Sequence, residues 1–279
     1  MSSVFSASFS WRRMWVVART DLRQLLKSKD YLMPMVALGF LFFVAVPTVL
    51  LLTLTNVEGG LAARMGETLS VLPEAARDQV RGTDPATRTA YALAVYLFAP
   101  VAVVVPLTIS TAVGAATIVG ERERGTGEFL AHSPATTREI YLGKLIASVI
   151  PGYVTTIVGF GSYALIVNLI VGPDVGGWFF PTSEWWVMML WIIPPFLLLT
   201  LSFVLRLSAR VKSTAAAQQA SGLITLPVIA IAYSQSTGSL MGGGSAALWL
   251  GGIAWVLALF SLHRGVRSVT RNRLLGVAQ

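Results

Sequence analysis

Long uncharged stretches alternate with short clusters of charge along this chain. Five stretches stand out: Tyr31 to Val57, Thr89 to Gly120, Leu145 to Pro173, Trp185 to Leu205, and Ser213 to His263. Each of the first four meets the roughly 20 apolar residues that a helix needs to cross a bilayer. The fifth is too long for one crossing and is broken by a Gly/Ser-rich segment from Ser234 to Ser245, which predicts two helices joined by a tight turn. The pattern therefore predicts six transmembrane helices, over 31–54, 91–119, 143–171, 185–206, 214–234 and 245–263, in one all-α integral membrane domain spanning 1–279. A membrane β-barrel would instead show short alternating segments. The first stretch starts only at Tyr31, is longer than the apolar part of a signal peptide and lacks a small-residue cleavage site, so it reads as an anchor.

Composition agrees: 54% of the residues are hydrophobic and 12% charged, against about 25% charged in a soluble domain. The lysines and arginines set the orientation. Arg12, Arg13, Arg19, Arg23, Lys27 and Lys29 precede the first span. Arg122, Arg124, Arg138 and Lys144 lie between the second and third, Arg206, Arg210 and Lys212 between the fourth and fifth, and Arg264, Arg267, Arg271 and Arg273 after the last. Only Arg64, Arg77, Arg81 and Arg88 fall on the other side, and the positive-inside rule then places both termini in the cytoplasm of a cell whose inner or plasma membrane the chain crosses. The net charge of +8 is accounted for by anionic lipid beside the spans and calls for no nucleic acid. With no cysteine, a disulfide framework and a thiolate metal site are excluded.

Residues 11–27 have helical periodicity with two distinct faces. Trp11, Met14, Trp15, Ala18, Leu22, Leu25 and Leu26 share one side, and Arg12, Arg13, Arg19, Arg23 and Lys27 the other. Such a helix lies in the headgroup plane with its tryptophans inward and its arginines reaching phosphate or water, either as a float or as a lever into the first span. The loop over 58–88, with a short amphipathic helix read within 67–80, is expected on the far side as a lid or a packing cap. The run from Trp178 to Trp186 marks the interface there, with Pro181 and Ser183 opening a helix whose first turn carries Glu184.

The densest polar segment interrupts two greasy spans: Glu121-Arg122-Glu123-Arg124-Gly125-Thr126-Gly127-Glu128. Gly125 and Gly127 loosen the backbone. Glu128 to His132 supply one further turn before Ser133-Pro134, and Thr136 with Glu139 three residues on forms a capping box that starts the next helix. Phe129 and Leu130, flanked by Glu121, Glu123, Arg124, Glu128 and Arg138, either fill a groove on another protein or tuck back against lipid.

This region, continuing through Phe129-Leu130, Ser133-Pro134 and Ile140-Tyr141-Leu142-Gly143-Lys144-Leu145, resembles the signature region of ABC-2 type permeases, the membrane subunits of ATP-binding-cassette exporters. The stretches Ala209-Arg210-Val211-Lys212, Ala216-Ala217-Gln218-Gln219 and Leu226-Pro227 are similar to the second cytoplasmic loop and following helix of the same family. The resemblance implies an exporter fold with an amphipathic amino-terminal connecting helix carrying Trp11, Arg12, Trp15, Arg19 and Arg23. It further implies a coupling loop over 121–142 docked on a cytoplasmic ATPase through Glu121, Glu123, Arg124, Gly125, Thr126, Glu128, Phe129, Leu130, Arg138, Glu139 and Lys144.

No engine is visible in the chain itself. Its only Gly-Lys pair, Gly143-Lys144, lacks the upstream glycine of a phosphate loop. ATP and Mg therefore belong to a separate ATPase partner, with no cofactor or metal expected here. Six spans are few for a pore, so two copies, or one copy and a homologous permease, are expected to enclose the path. The stretches hold no internal acid or base, which disfavours ion coupling and suits a hydrophobic or amphipathic cargo. Thr108, Thr111, Thr155, Asn168 and Thr200 are candidate pathway residues, with interhelical hydrogen bonding as their ordinary alternative. An intramembrane enzyme would need a nucleophile, acid/base pair or metal cluster at depth, and the spans carry none. A secondary carrier lacks its inverted repeat and ionisable sites. A non-transporting assembly or regulatory protein on the same scaffold is the remaining competitor.

Overall fold

The computed structural model describes residues 9–56, 77–123, 133–208 and 244–268, and within them every regular element is helical. An amino-terminal helix, Trp11–Lys27, ends at Ser28, whose N–H turns back to the carbonyls of Gln24 and Leu25. Among the described residues, five helices long and apolar enough to cross a membrane follow: Lys29–Thr55, Pro85–Thr117, Thr137–Ile170, Ser183–Leu207 and Ala247–Arg267. We call these the first, second, third, fourth and last spans. The helix expected over 214–234, the turn before 245 and the amphipathic segment within 67–80 lie outside the described residues.

Local chemistry explains where the spans begin. The second starts before its apolar stretch does, because Asp84 in extended conformation caps it: its carboxylate accepts from the N–H groups of Ala86 and Thr87 at 2.9 and 3.0 Å and from the Thr87 hydroxyl at 2.6 Å, with Pro85 in the first turn. The hydroxyl and then the backbone bonds of Thr87 hold this carboxyl below its ordinary pKa, so the cap stays ionised in mild acid. The third span starts at the capping box expected from the sequence, with Thr136 and Glu139 satisfying each other's backbone N–H groups.

The third span is the mast of the bundle. Three of its glycines let neighbours approach where no side chain would fit: Gly143 against Met14 and Val17 of the amino-terminal helix, Gly152 against Pro106 and Ser110 of the second span, and Gly159 against the Phe43 ring of the first. Small residues at such crossings bring backbones together, which is the main source of packing energy where lipid removes the hydrophobic drive between helices.

Proline shapes the other spans in an unexpected way. A proline has no N–H and its ring collides with the carbonyl four residues back, which predicts a kink at each. A wide π turn precedes three of them: Leu41–Ala45 before Pro47, Leu93–Leu97 before Pro100 and Met188–Ile192 before Pro194. The N–H groups of Val46, Phe98 and Ile193 reach back five residues, to Leu41, Leu93 and Met188. Continuing that register would require the N–H of Pro100 for the Val95 carbonyl and that of Pro194 for the Met189 carbonyl. Side chains replace them. The Trp185 indole donates to Val95 at 2.8 Å and the Tyr153 hydroxyl to Met189 at 3.0 Å. The Tyr163 hydroxyl adds a bond to Ala94 at 2.7 Å.

Around the second wide turn the bundle closes on aromatic rings. Phe98, Phe160, Tyr163, Phe180 and Trp185 contact one another at centroid distances from 4.9 to 5.9 Å. The link between the third and fourth spans, which supplies Phe180, is fixed by Asn168. Its side chain donates to the carbonyls of Ala164 and Phe180 and accepts from the N–H groups of Phe179 and Phe180, at 2.6 to 3.0 Å. Asn168 is buried, and three of its four bonds hold this link, the hydrogen-bonding alternative to a pathway role. Replacing it by leucine of similar volume orphans two N–H groups and a carbonyl. Asn168→Leu is expected to cost at least about 2 kcal/mol, seen as a lower melting temperature of the purified full chain in detergent.

Candidate functional site

At the end of the bundle opposite the aromatic rings, the amino-terminal helix lies across the start of the third span. Its residues divide among three faces rather than the two that periodicity predicts. Met14, Val17, Ala18 and Leu25 are buried against the bundle. Trp11, Trp15 and Leu26 are exposed, at 72%, 50% and 61%, so the broad apolar side splits into a part facing protein and a part facing outward. Arg12, Arg19, Arg23 and Lys27 are also exposed and form the adjoining basic stripe. Arg13, grouped with those cations by spacing, instead points to the third span.

There it meets Glu139. The guanidinium grips the carboxylate with two atoms, Nε to Oε2 at 3.0 Å and Nη2 to Oε1 at 2.9 Å. The backbone N–H of Ser10 adds a bond of 2.6 Å to Oε1, and that of Thr136 one of 2.8 Å to Oε2. Glu139 has no exposed side-chain surface. A single carboxylate thus anchors the start of the amino-terminal helix and caps the third span, with charge-assisted bonds from both. Arg13 in turn is held protonated, its pKa raised chiefly by the hydrogen bond to Glu139.

A second clip lies beyond Gly143. Lys144 is fully buried, and its Nζ sits 2.6 Å from the carbonyl of Thr117 in the second span and 3.5 Å from Oδ2 of Asp21 in the amino-terminal helix. Asp21 is the one acidic residue between 11 and 27. Between the clips a Cβ on Gly143 would come 2.9 Å from the Met14 carbonyl and from Val17. A cavity of about 50 Å³ lined by Asp21, Gln24, Ser28, Tyr31 and Thr117, among others, has room for a few waters.

The apolar underside extends the joint to the remaining spans. Val17, Ala135, Ile140, Tyr141, Leu145, Leu201 and Leu205 form one buried cluster, with Leu262 and Val266 of the last span packed against it. The Tyr141 hydroxyl donates to the Ser202 carbonyl at 3.4 Å, and its ring lies where a side chain on Gly265 would collide. Arg206 closes the fourth span onto the last, donating to Ser261 at 3.4 Å while stacking over Phe203.

The residues expected to meet a partner separate into three groups. Arg124, Gly125, Thr126, Glu128, Phe129 and Leu130 lie outside the described residues, while Glu121 and Glu123 continue the helix Ala99–Glu123 that carries the second span. Arg138 is exposed beside the capping box. Glu139 and Lys144 are turned inward, so they hold the joint and present nothing to a partner surface. That corrects their reading as docking contacts: charge beside a span is usually solvated, and here each charge found an opposite one on the amino-terminal helix. Of the other pathway candidates, Thr111 and Thr200 are buried, Thr155 is half-buried and Thr108 is exposed. The hydroxyls of Thr108, Thr111 and Thr155 donate to carbonyls of their own helices. Spacing missed the roles of Arg13, Asp21 and Tyr141; the lone acid in a basic helix was the available signal for Asp21.

A family model described as ABC-2 family transporter protein matches residues 15–242. No curated protein matches the chain.

The clip geometry sets an additivity test. Arg13→Gln and Glu139→Gln each lower the melting temperature of the full chain, the latter more because it also releases Ser10 and Thr136. The double variant is expected to fall no further than Glu139→Gln alone; a sum of the two single shifts would show that the pair does not act as one unit.

Proposed function

The chain belongs to the ABC-2 transporter family, multi-pass membrane proteins of the ATP-binding-cassette transport systems, and on that premise we propose that it is the permease subunit of an exporter. In this reading it moves a hydrophobic or amphipathic substrate out of the cytoplasm, and a separate ATPase subunit binds ATP and Mg and performs the hydrolysis. A second copy or a homologous permease completes the path, in a cell's inner or plasma membrane, with both termini and the loop over 121–142 in the cytoplasm. The basic stripe of the amino-terminal helix faces anionic lipid headgroups.

The observation that carries the reading is the joint built on Glu139. Transport driven from outside the bilayer needs a stiff connection between the surface that is pushed and the helices that move. Both ends of the 121–142 loop are rigid, the first as a helix running to Glu123 and the second as the capping box at Thr136. The amino-terminal helix is clipped to the third span on both sides of a backbone contact. A push on the loop is therefore shared by the second span, the third span and the amino-terminal helix as one body. Phe129 and Leu130 supply the buried contact to the ATPase, with Glu121, Glu123, Arg124, Glu128 and Arg138 around it for register and orientation.

The test is recovery of the partner and its activity. Photocrosslinkers at positions 124 and 129 in native membranes are expected to trap a nucleotide-hydrolysing subunit, and the purified complex to hydrolyse ATP. Phe129→Ala is expected to cut transport by roughly tenfold while the complex still inserts and still hydrolyses ATP, a separation measured by export and phosphate release in the same vesicles. Capture of no ATPase, or unchanged export in the variant, would sink the proposal in favour of an assembly or regulatory role.

A further inference from the structure

The two ends of this bundle are held by different forces. At one end, ion pairs and a backbone contact fix the amino-terminal helix. At the other, three wide turns in three different spans meet the third span within a single stretch, from Tyr153 to Tyr163, about 15 Å of helix. Tyr153 bonds the turn of the fourth span, Gly159 receives Phe43 from the turn of the first, and Tyr163 bonds the turn of the second. We propose that Tyr153 and Tyr163 are gating residues, whose hydroxyls latch the wide turns of the fourth and second spans to the third and release them when the aromatic end of the bundle opens.

The chemistry favours a latch over a permanent bond. A π turn followed by proline leaves a carbonyl that no backbone N–H can reach. Such a carbonyl must be bonded when buried, yet a hydrogen bond between membrane helices has only a small net strength, weak enough to open and re-form. In the fourth span that carbonyl belongs to Met189 and stays available for the Tyr153 hydroxyl to return; in the second it belongs to Val95 and is held by Trp185, and Tyr163 bonds the adjacent carbonyl of Ala94. Tyr153 is half-buried, whereas Tyr163 is buried among Phe98, Phe180 and Trp185. The order of release follows: Tyr153 first, then Tyr163 as the rings part. Trp185, donating to Val95, keeps the second turn folded while Tyr163 is off.

The transporter reading supplies the purpose of this device, while the latch itself is tested without transport. Hydrogen exchange of the full chain in lipid nanodiscs resolves the amides of 93–99, 188–193 and 139–145. Tyr163→Phe is expected to speed exchange roughly fivefold in 93–99 and Tyr153→Phe by a similar factor in 188–193. Neither is expected to alter 139–145. No change in either turn, or an equal rise in all three segments, would overturn the latch. In the complex with its ATPase, nucleotide is expected to raise exchange in both turns of the unaltered protein and to add little in the double variant. Exchange in both turns that ignores nucleotide would overturn the gating role. Failure to isolate an ATPase would count against the transporter reading and leave the nanodisc comparison standing. Both variants keep the ring, and the half-buried Tyr153 decides alone if the double variant does not fold.

Discussion

A carboxylate shut away from water must be surrounded by donors, because desolvating it costs several kcal/mol even after the protein relaxes. Glu139 meets that demand by drawing donors from two elements far apart in the sequence, Ser10 and Arg13 on one side and Thr136 on the other. The same burial that makes the charge costly makes the arrangement demanding, since removing any donor leaves the remainder to cover the deficit. The second pair, Asp21 with Lys144, fixes direction as well as distance. Laid the other way round, the amino-terminal helix would set Arg13 on Lys144 and Asp21 on Glu139, like charge on like. Opposite charges therefore select one orientation of a helix whose apolar residues alone would accept several.

From that joint the third span carries the constraint through the bundle. Its glycines at 143, 152 and 159 receive the amino-terminal helix, the second span and the first span in turn. The result is a graded structure: ionic and backbone contacts at one end, and at the other hydroxyls and rings that fill gaps left by proline. In the proposed transporter, a force arriving at the ionic end is expected to reach the second and third spans together, with displacement where the restraints are weakest. Stiffness and compliance are thus both written into one helix, and the same class of transport protein needs each.

The element pattern was legible because it rests on long-range averages: apolar length for the spans, period for the amino-terminal helix, and the Thr-x-x-Glu spacing for the capping box. The site was legible only in part. Periodicity sorts residues into apolar and polar sides, and so it placed Arg13 with the solvated cations and gave no reason to separate Met14 from Trp15. That separation depends on which neighbour lies against the helix. Glu139 and Lys144 carried charge next to a span and read as partner contacts, until the opposite charges 126 and 123 residues away were brought to them. Asn168 read as a lining residue because nothing in the sequence states the path of the link it holds. Proline announced lost hydrogen bonds but not wide turns, whose carbonyls are satisfied by tyrosine and tryptophan from other spans.

The separation in sequence between Arg13 and Glu139 has a consequence for how the protein is made. The amino-terminal helix leaves the ribosome 126 residues before the carboxylate that will hold it, roughly 6–25 s earlier at ordinary synthesis rates of about 5–20 residues per second. During that interval neither Arg13 nor Asp21 has its final counter-ion. The exposed tryptophans and the basic stripe have the chemistry of an interfacial anchor, which would keep the newborn segment on the lipid surface until the third span is threaded and the berth beside Gly143 exists. Two surfaces of one helix thereby serve successive stages of its life, the outer during insertion and the inner once assembly is complete.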